Sequence, residues 1–413
     1  MIFLAILLMN LLLVIVLYGL TWSFYHFMQR VEYPEIAEKD LPFVSVLVPA
    51  RNEETKIGRC LESLLVQRYP NYEIVVIDDR STDRTGEIIQ EYADRDKRIK
   101  FVHGKDAPDG WIGKCNALAH AVGYASGDWY IFTDADTSHT PTSIKDSVSY
   151  STSIKADLVS FVPLQELGSF WEKLIMQVLL GSFVLGDPFH SVNDPKAERA
   201  YAYGQYIICR RSTYNKIGGH QSVRDEIVED HAIARVFKEK GYKIAVADGK
   251  PLYSVRMYTN LESLWQGWTK NLYSLIDSRI VNLLCIVFMI NMATLTPYLE
   301  TVAVGAMWLS PESYPYINLA TAVVALENLM LIFWFNTIKY HYEGIRWWHF
   351  FWVPFGALAV TVLDFHAAYM VLSGSQVNWK GRRYTVNTSK TIQPMVNAAL
   401  DPALDAAALD GTD

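Results

Sequence analysis

Neither a Gly-x-Gly-x-x-Gly fingerprint nor a Walker run occurs anywhere in the 413 residues. Their lack argues against dinucleotide cofactors and P-loop ATP chemistry. Cysteine is scarce. Cys60, Cys115, Cys209 and Cys285 are its four positions, spaced too widely for a zinc motif or a disulfide framework, as suits a reducing compartment. Positive charge is not in excess, with 37 Lys and Arg against 44 Asp and Glu for a net charge of −7. No basic stripe interleaves with aromatic residues, so nucleic acid is not expected as a partner. No internal repeat organises the chain.

Apolar material is abundant instead, at 51% hydrophobic and 13% aromatic residues, more than one ordinary domain needs for its core. It is unevenly spread. Ile2 to Leu20 is an uncharged apolar run of about bilayer length. No basic residue precedes it and no small-residue cleavage site follows before Trp22, which predicts a retained anchor over residues 1–22 rather than a cleaved leader. Further apolar stretches run from Ile280 to Leu309, Ile317 to Phe335 and Phe350 to Leu372. The expected organisation is therefore a domain over 41–275 between that anchor and membrane segments in 280–373, with a tail over 374–413. From Asn387 on the tail is rich in Ala, Asp and Thr and expected to be disordered. Arg30 and Lys39 after the first segment place the middle domain in the cytoplasm of a multi-pass inner-membrane protein. Three single crossings would then leave the tail outside, whereas Lys380, Arg382 and Arg383 favour the inside by the same rule. A re-entrant or interfacial piece around Pro297 is the alternative, and both remain open.

The middle domain reads as a doubly wound α/β unit. Phe43 to Val48 is a short buried strand, followed by the loop Pro49 to Glu54. Ile57, Cys60, Leu61, Leu64 and Leu65 recur at helical spacing, Tyr72 to Ile77 is the next strand, and Thr85 to Ala93 is a helix capped by Asp83. Strand, helix, strand in that rhythm predicts a parallel sheet with right-handed crossovers.

Chemistry collects at the strand ends. The apolar run Trp129 to Thr133 stops in Asp134-Ala135-Asp136, at the sheet edge where open α/β folds bind ligands. Two carboxylates there are costly to bury bare and suit Mg²⁺ or Mn²⁺, with a diphosphate completing the shell. The plainer reading of the pair is a solvated acidic turn. Glu53 and Asp79 follow two neighbouring predicted strands and should face the same crevice. Gly110 to Ala117 is a flexible loop running into a helix, where Lys114 is either a cation for the diphosphate or a surface lysine. His139, beside Pro141, is expected to be structural rather than a metal ligand. The aromatic pairs Phe170-Trp171 and Trp347-Trp348 fit a membrane interface.

The ordered set VSVLVPARNEE, VVIDDRSTDRT, GWIGKCNA, FTDAD and VEDHAIARVFKEKGY resembles family 2 glycosyltransferases of the GT-A (nucleotide-diphospho-sugar transferase) fold, over roughly Phe43 to Asn271. Within that family, WIGKCNALA, DADTSHTP, HSVNDP, YGQYIICRR and NWKGRRY are similar to membrane-anchored enzymes that glycosylate polycyclic or polyisoprenoid lipids. The hopene-associated and carotenoid types resemble it most, and ceramide glucosyltransferase more distantly. The resemblance implies that Pro49, Ala50, Arg51, Glu53 and Asp79 hold the uridine part of a UDP-sugar, and that Asp134 and Asp136 are the metal-diphosphate pair. It also implies that Glu229-Asp230 is the acidic pair, with Asp230 as the base of an inverting reaction, and that His220 lies near the acceptor. For Asp230 the plainer reading is an acid favoured at a helix N-terminus.

One departure stands out. Processive members and several lipid-directed ones carry Gln/Arg-x-x-Arg-Trp before the carboxy-terminal membrane segments, whereas this chain has Leu264-Trp265-Gln266-Gly267-Trp268. Trp268 keeps the aromatic and a substrate-binding role by resemblance, while Gly267 replaces the arginine. Lys270 and Arg256 become candidates to neutralise the leaving diphosphate. The resemblance implies transfer of a hexose, glucose first among candidates, from a UDP-sugar to a hydroxyl of a membrane lipid such as a carotenoid or hopanoid. A processive polysaccharide synthase, a diacylglycerol or sphingolipid acceptor, and a non-catalytic scaffold are the alternatives.

Overall fold

Apolar runs of five to seven residues build the first half of the central sheet in the computed structural model, which describes residues 2–27, 33–180, 189–276, 280–309, 319–343, 346–375, 377–379 and 382–384. After the amino-terminal helix α1 (Ile2–Phe27) come β1 (Val44–Ala50), β2 (Tyr72–Asp78), β3 (Ile99–His103) and β4 (Trp129–Thr133), all parallel. Helices α2 (Ile57–Leu65), α3 (Thr85–Arg95) and α4 (Gly113–Val122) are the crossovers. Ile57, Cys60, Leu61 and Leu64 form the buried stripe of α2, as their spacing predicts. Alternate residues of each strand feed opposite faces. Val46, Ile74 and Ile131 pack with Leu61 and Leu64 on one side, while Leu47, Val75 and Phe132 pack with Ala117, Leu118 and Phe237 on the other. Each such side chain contributes about 1.5–3 kcal/mol by leaving water.

Two features differ from the sequence expectation. Strand β3 was not anticipated, because Lys100 and His103 are exposed on this edge strand and leave Ile99 and Val102 as a weak alternating signal. The sheet is also not wholly parallel. Further on lie α5 (Ser143–Ser153), β5 (Thr137–His139), β6 (Leu158–Val162), β7 (Leu164–Gln165), β8 (Tyr206–Arg210), β9 (Ile244–Asp248) and β10 (Tyr253–Val255). The order is β3-β2-β1-β4-β8-β6-β9, with β8 antiparallel to both β4 and β6. The chain returns to the sheet at β8 after a long excursion from β7, and so enters from the other end. A small second sheet, β5-β10-β7, holds the backbone that follows Asp136.

The end of the sheet away from the strand-end crevice is closed by Glu73. This buried carboxylate accepts hydrogen bonds from Ser45 Oγ at 2.7 Å and from Ser126 N and Oγ at 2.7 and 2.9 Å, and pairs with Lys100 at 2.5 Å. Burial alone would raise its pKa, but these donors outweigh that and lower it.

Beyond α6 (Glu229–Glu239), the helices are α7 (Leu261–Ile276), α8 (Ile280–Thr294), α9 (Thr296–Trp308), α10 (Leu319–Glu343) and α11 (Val353–Leu372). Among the described residues one helix, Trp347–Leu372, is long and apolar enough to cross a membrane. The expected segment 350–372 coincides with it. The stretch expected over 280–309 is instead a pair, Val287–Thr294 and Thr296–Trp308, bent by 46° where Pro297 opens the second helix. Leu4–Leu17 and Thr321–Trp334 are shorter apolar helices. Asn10 of α1 and Asn328 of α10 both donate to Glu300 Oε2 of α9, at 3.0 and 2.9 Å, which ties the amino-terminal helix to the carboxy-terminal ones. Arg30, Lys380 and the tail from Asn387 lie outside the described residues.

Candidate active site

The ends of β1 and β2 are zipped together. Asp79 N–H donates to Ala50 O at 2.7 Å, Glu53 N–H to Thr85 Oγ1 at 2.7 Å and Thr82 N–H to Asn52 Oδ1 at 2.8 Å. Arg51 braces the junction through Nη1, which donates to Asp79 O at 2.6 Å and Arg80 O at 3.1 Å. Asn52 and Arg80 adopt left-handed backbone, with φ of 51° and 59°, a conformation that costs about 1–3 kcal/mol in a non-glycine residue and concentrates at ligand sites. Arg84, not Asp83, occupies the cap position of α3; Asp83 stands one residue earlier, its Oδ1 accepting from Thr85 N and Oγ1 at 3.0 and 2.6 Å. Glu53 and Asp79 are both buried in these loops.

The strand-end aspartates point to different partners. Asp134 Oδ1 lies 2.9 Å from Lys114 Nζ, whereas Asp136 Oδ2 lies 3.8 Å from Lys56 Nζ, which also pairs with Glu53 at 3.6 Å and donates to Met257 O at 3.0 Å. Thr137 Oγ1 closes the turn between them by donating to Asp134 O at 2.7 Å. His139 is structural, as expected. Its Nε2 lies 3.2 and 3.0 Å from Thr133 and Thr137 Oγ1, it stacks on Tyr253, and burial pushes its pKa down to about 3.

Across the crevice, Glu229 and Asp230 open α6, where the positive end of the helix favours carboxylates. Glu229 Oε1 is 2.7 Å from the same Lys114 Nζ. Asp230 Oδ2 accepts from Gly204 N–H at 2.7 Å and Oδ1 from His231 N–H at 2.9 Å. Burial raises both carboxyls. In Glu229 the Lys114 ammonium outweighs it and the net shift is down, whereas in Asp230 the neighbouring Glu229 charge adds to it and the shift is up. Burial works against the Lys114 charge, but Asp134 and Glu229 reverse that and keep it protonated.

Pro49, Lys114, Asp134, His220, Glu229 and Asp230 line one cavity. His220 is a brace there. Its Nδ1 lies 2.7 Å from Tyr214 O–H, its own N–H donates back to that oxygen at 3.0 Å, and burial, with Lys114 adding, lowers its pKa to about 3. A neutral imidazole so held cannot donate a proton at neutral pH from a charged form.

Trp268 is placed elsewhere. It is buried among Leu264, Met176 and Val360, with its indole N–H on Met176 Sδ at 3.0 Å, so packing accounts for its presence better than substrate contact. Gly267 has a steric reason. A Cβ there would stand 2.4 Å from Cε1 of the buried Tyr258 ring, leaving no room for a longer side chain. Gly267→Ala is expected to cost about 1–3 kcal/mol by overpacking, read as a lower melting temperature; an unchanged one would show that the ring yields freely. Arg256 is engaged by the buried Glu172 at 3.1 Å, which weakens it as the diphosphate cation. Sequence reasoning missed Lys56 and Gly204. Lys56 lies one turn after Glu53, but its approach to Asp136 depends on topology, and Gly204 offered no signal beyond its place in YGQYIICRR.

The family described as Glycosyl transferase family 2 matches residues 45–223. Among curated relatives, 4,4'-diaponeurosporenoate glycosyltransferase of Staphylococcus aureus is 29% identical over 236 residues, covering 55% of this chain and 60% of its own. The chain thus spans 60% of the length of the curated relatives it matches first. Two solved structures are similar at 16% identity. A mannosyltransferase of Pyrobaculum calidifontis in complex with GDP-mannose and Mn²⁺ matches over 80% of this chain and 98% of its own, with a TM-score of 0.48. TarS of Staphylococcus aureus in complex with UDP-GlcNAc matches over 86% and 99%, with a TM-score of 0.38. The family 2 match takes in Pro49, Glu53, Asp79, Lys114, Asp134, Asp136 and His220, and stops just short of Glu229 and Asp230.

Proposed function

We propose that the chain is an inverting hexosyltransferase of the GT-A type, moving glucose in the first instance from a UDP-sugar to a hydroxyl of a membrane lipid. The observation that carries this reading is the shared cavity, which sets the strand-end residues Pro49 and Asp134 beside the acidic pair Glu229-Asp230. Asp230 is the base. Its carboxylate is oriented by two backbone N–H groups, and burial together with the Glu229 charge raises its pKa. It takes the proton of the acceptor hydroxyl while that oxygen bonds to the anomeric carbon, the bond from that carbon to the diphosphate oxygen breaks, and UDP leaves. Inversion at that carbon follows from the single displacement. Glu53, Asp79 and the braced Arg51 loop are the proposed uridine side of the crevice.

Hard carboxylate oxygens at a strand end fit Mg²⁺ or Mn²⁺. Asp134, beside Lys114, and Asp136, beside Lys56, are the protein side chains that would hold it. Among the described residues no three His, Cys, Asp or Glu side chains form a cluster able to hold the ion, so phosphate and water would have to supply most of its shell. Bound there, the ion would offset the charge developing on the leaving diphosphate.

The acceptor is proposed to be of the carotenoid or hopanoid class, a reading supported by the diaponeurosporenoate glycosyltransferase similarity. The bilayer is its proposed source. Among the described residues the Trp347–Leu372 helix, with the bent pair if it is one span, gives one or two candidate crossings by length and composition, and an inner-membrane placement with the catalytic domain in the cytoplasm is part of the proposal. Exposed Phe170 packs against both Trp171 and Trp352, the latter in the first turns of the candidate span, where a flat apolar acceptor would pass. Mass spectrometry of total lipids with and without the gene tests the assignment. The expected outcome is one glycolipid lost on deletion, its mass exceeding that of an accumulating lipid by a single hexose. Identical lipid profiles in cells shown to express the protein would contradict it.

A further inference from the structure

The loop Gly110 to Ala117 docks the segment that leads to the acidic pair. Ile112 N–H donates to Arg224 O at 2.7 Å, and Cys115 Sγ lies 3.3 and 3.5 Å from Val223 O and Glu226 O. Ile112 and Cys115 are buried against Trp111 and Ile227. The start of α4 and the strap before α6 are thus joined by backbone, thiol and apolar contacts. Lys114 sits at that joint, its ammonium 2.9 Å from Asp134 and 2.7 Å from Glu229.

We propose that Lys114 is a positioning residue that ties the donor-side acid Asp134 to the acidic pair and fixes Glu229 as a counter-charge, so that Asp230 alone is presented to the acceptor. This role differs from a diphosphate cation, and it rests on the reading of Asp230 as the base. With two carboxylates within ion-pair distance, the ammonium is already matched. Removing it leaves Glu229 as an uncompensated buried charge next to Asp230, a strongly destabilising arrangement. Neutralising Glu229 in the same chain should then relieve the damage.

The test uses the full chain in detergent micelles, with UDP-glucose and a total lipid extract, and compares Lys114→Met, Glu229→Gln, the double variant and Lys114→Arg. Turnover is followed as UDP release, UDP affinity by calorimetry, and stability by thermal melting. Lys114→Met is expected to lower turnover about 30-fold or more with UDP Kd changed less than about threefold, the signature of a lost positioning contact rather than lost binding. The double variant is expected to recover about tenfold over Lys114→Met, and Lys114→Arg to stay within about tenfold of wild type. A UDP Kd weakened more than about tenfold with turnover unchanged at saturation would overturn the proposal and make Lys114 a diphosphate ligand. A double variant no better than the single one would also overturn it. Should wild type release no UDP with any lipid, the proposed function falls on its own. The bridge is then decided by melting: coupled effects of Lys114→Met and Glu229→Gln support it, and additive effects overturn it.

Discussion

Asp230→Asn is expected to keep UDP affinity within about threefold of wild type and to lower turnover by about 10²- to 10⁴-fold, the usual contribution of a general base. The amide preserves size, and its one oxygen can keep one of the two bonds donated by Gly204 N–H and His231 N–H, so the start of α6 should largely hold. What it cannot do is take a proton. The pH dependence has a definite sign. Burial first and the Glu229 charge second raise the Asp230 pKa, so the base is active above that value and activity is lost as pH falls through it. The acid limb of kcat/KM should lie above the value of an ordinary aspartate and move to lower pH in Glu229→Gln, which removes the raising charge. Calorimetry and turnover on the same preparation check the split. Lost nucleotide affinity with unchanged turnover at saturation would assign Asp230 to binding instead.

Asp136→Ala is expected to lower Mg²⁺- or Mn²⁺-supported transfer by about 10³-fold or more, because a bound cation supplies several kcal/mol of transition-state charge stabilisation. The fold should survive. Asp136 lies in the turn between β4 and β5, and its ion pair with Lys56 is long at 3.8 Å. Circular dichroism and melting should match wild type, while the strengthening of UDP binding by Mn²⁺ should disappear. A folded variant fully active both in EDTA and in Mn²⁺ would remove Asp136 from the metal site. The same substitution at Asp134 should act differently, by releasing Lys114 from one of its two carboxylates.

How much was legible follows from the range of each signal. Strands β1, β2 and β4 are mostly apolar and buried on both faces, so hydrophobicity locates them within two residues despite Ser45 and Glu73. The acidic pair was readable as the opening of a helix because the stripe of Ala232, Ile233 and Phe237 follows at once. Edge strand β3 was not, since exposed Lys100 and His103 dilute its pattern. Neither was the antiparallel β8, whose sense depends on where a long connection returns. Composition shows that Lys56 and Lys114 exist, but not that they are matched to Asp136 and Asp134, residues far away in sequence that only the sheet order brings near. Trp268 and Gly267 teach the same point from the other side. A motif remnant suggested substrate contact, whereas Met176 and the Tyr258 ring account for both residues by packing.

Product size tests the account most directly. Membranes containing the full chain would be incubated with radiolabelled UDP-glucose, extracted with organic solvent, and the labelled products sized. Transfer of one sugar to a bilayer-derived acceptor, with Gly267 at the position that the resemblance assigns to the arginine of processive members, predicts a single lipid-soluble band that is absent in Asp230→Asn. A ladder of products or a water-soluble polymer would contradict it and show a processive synthase instead.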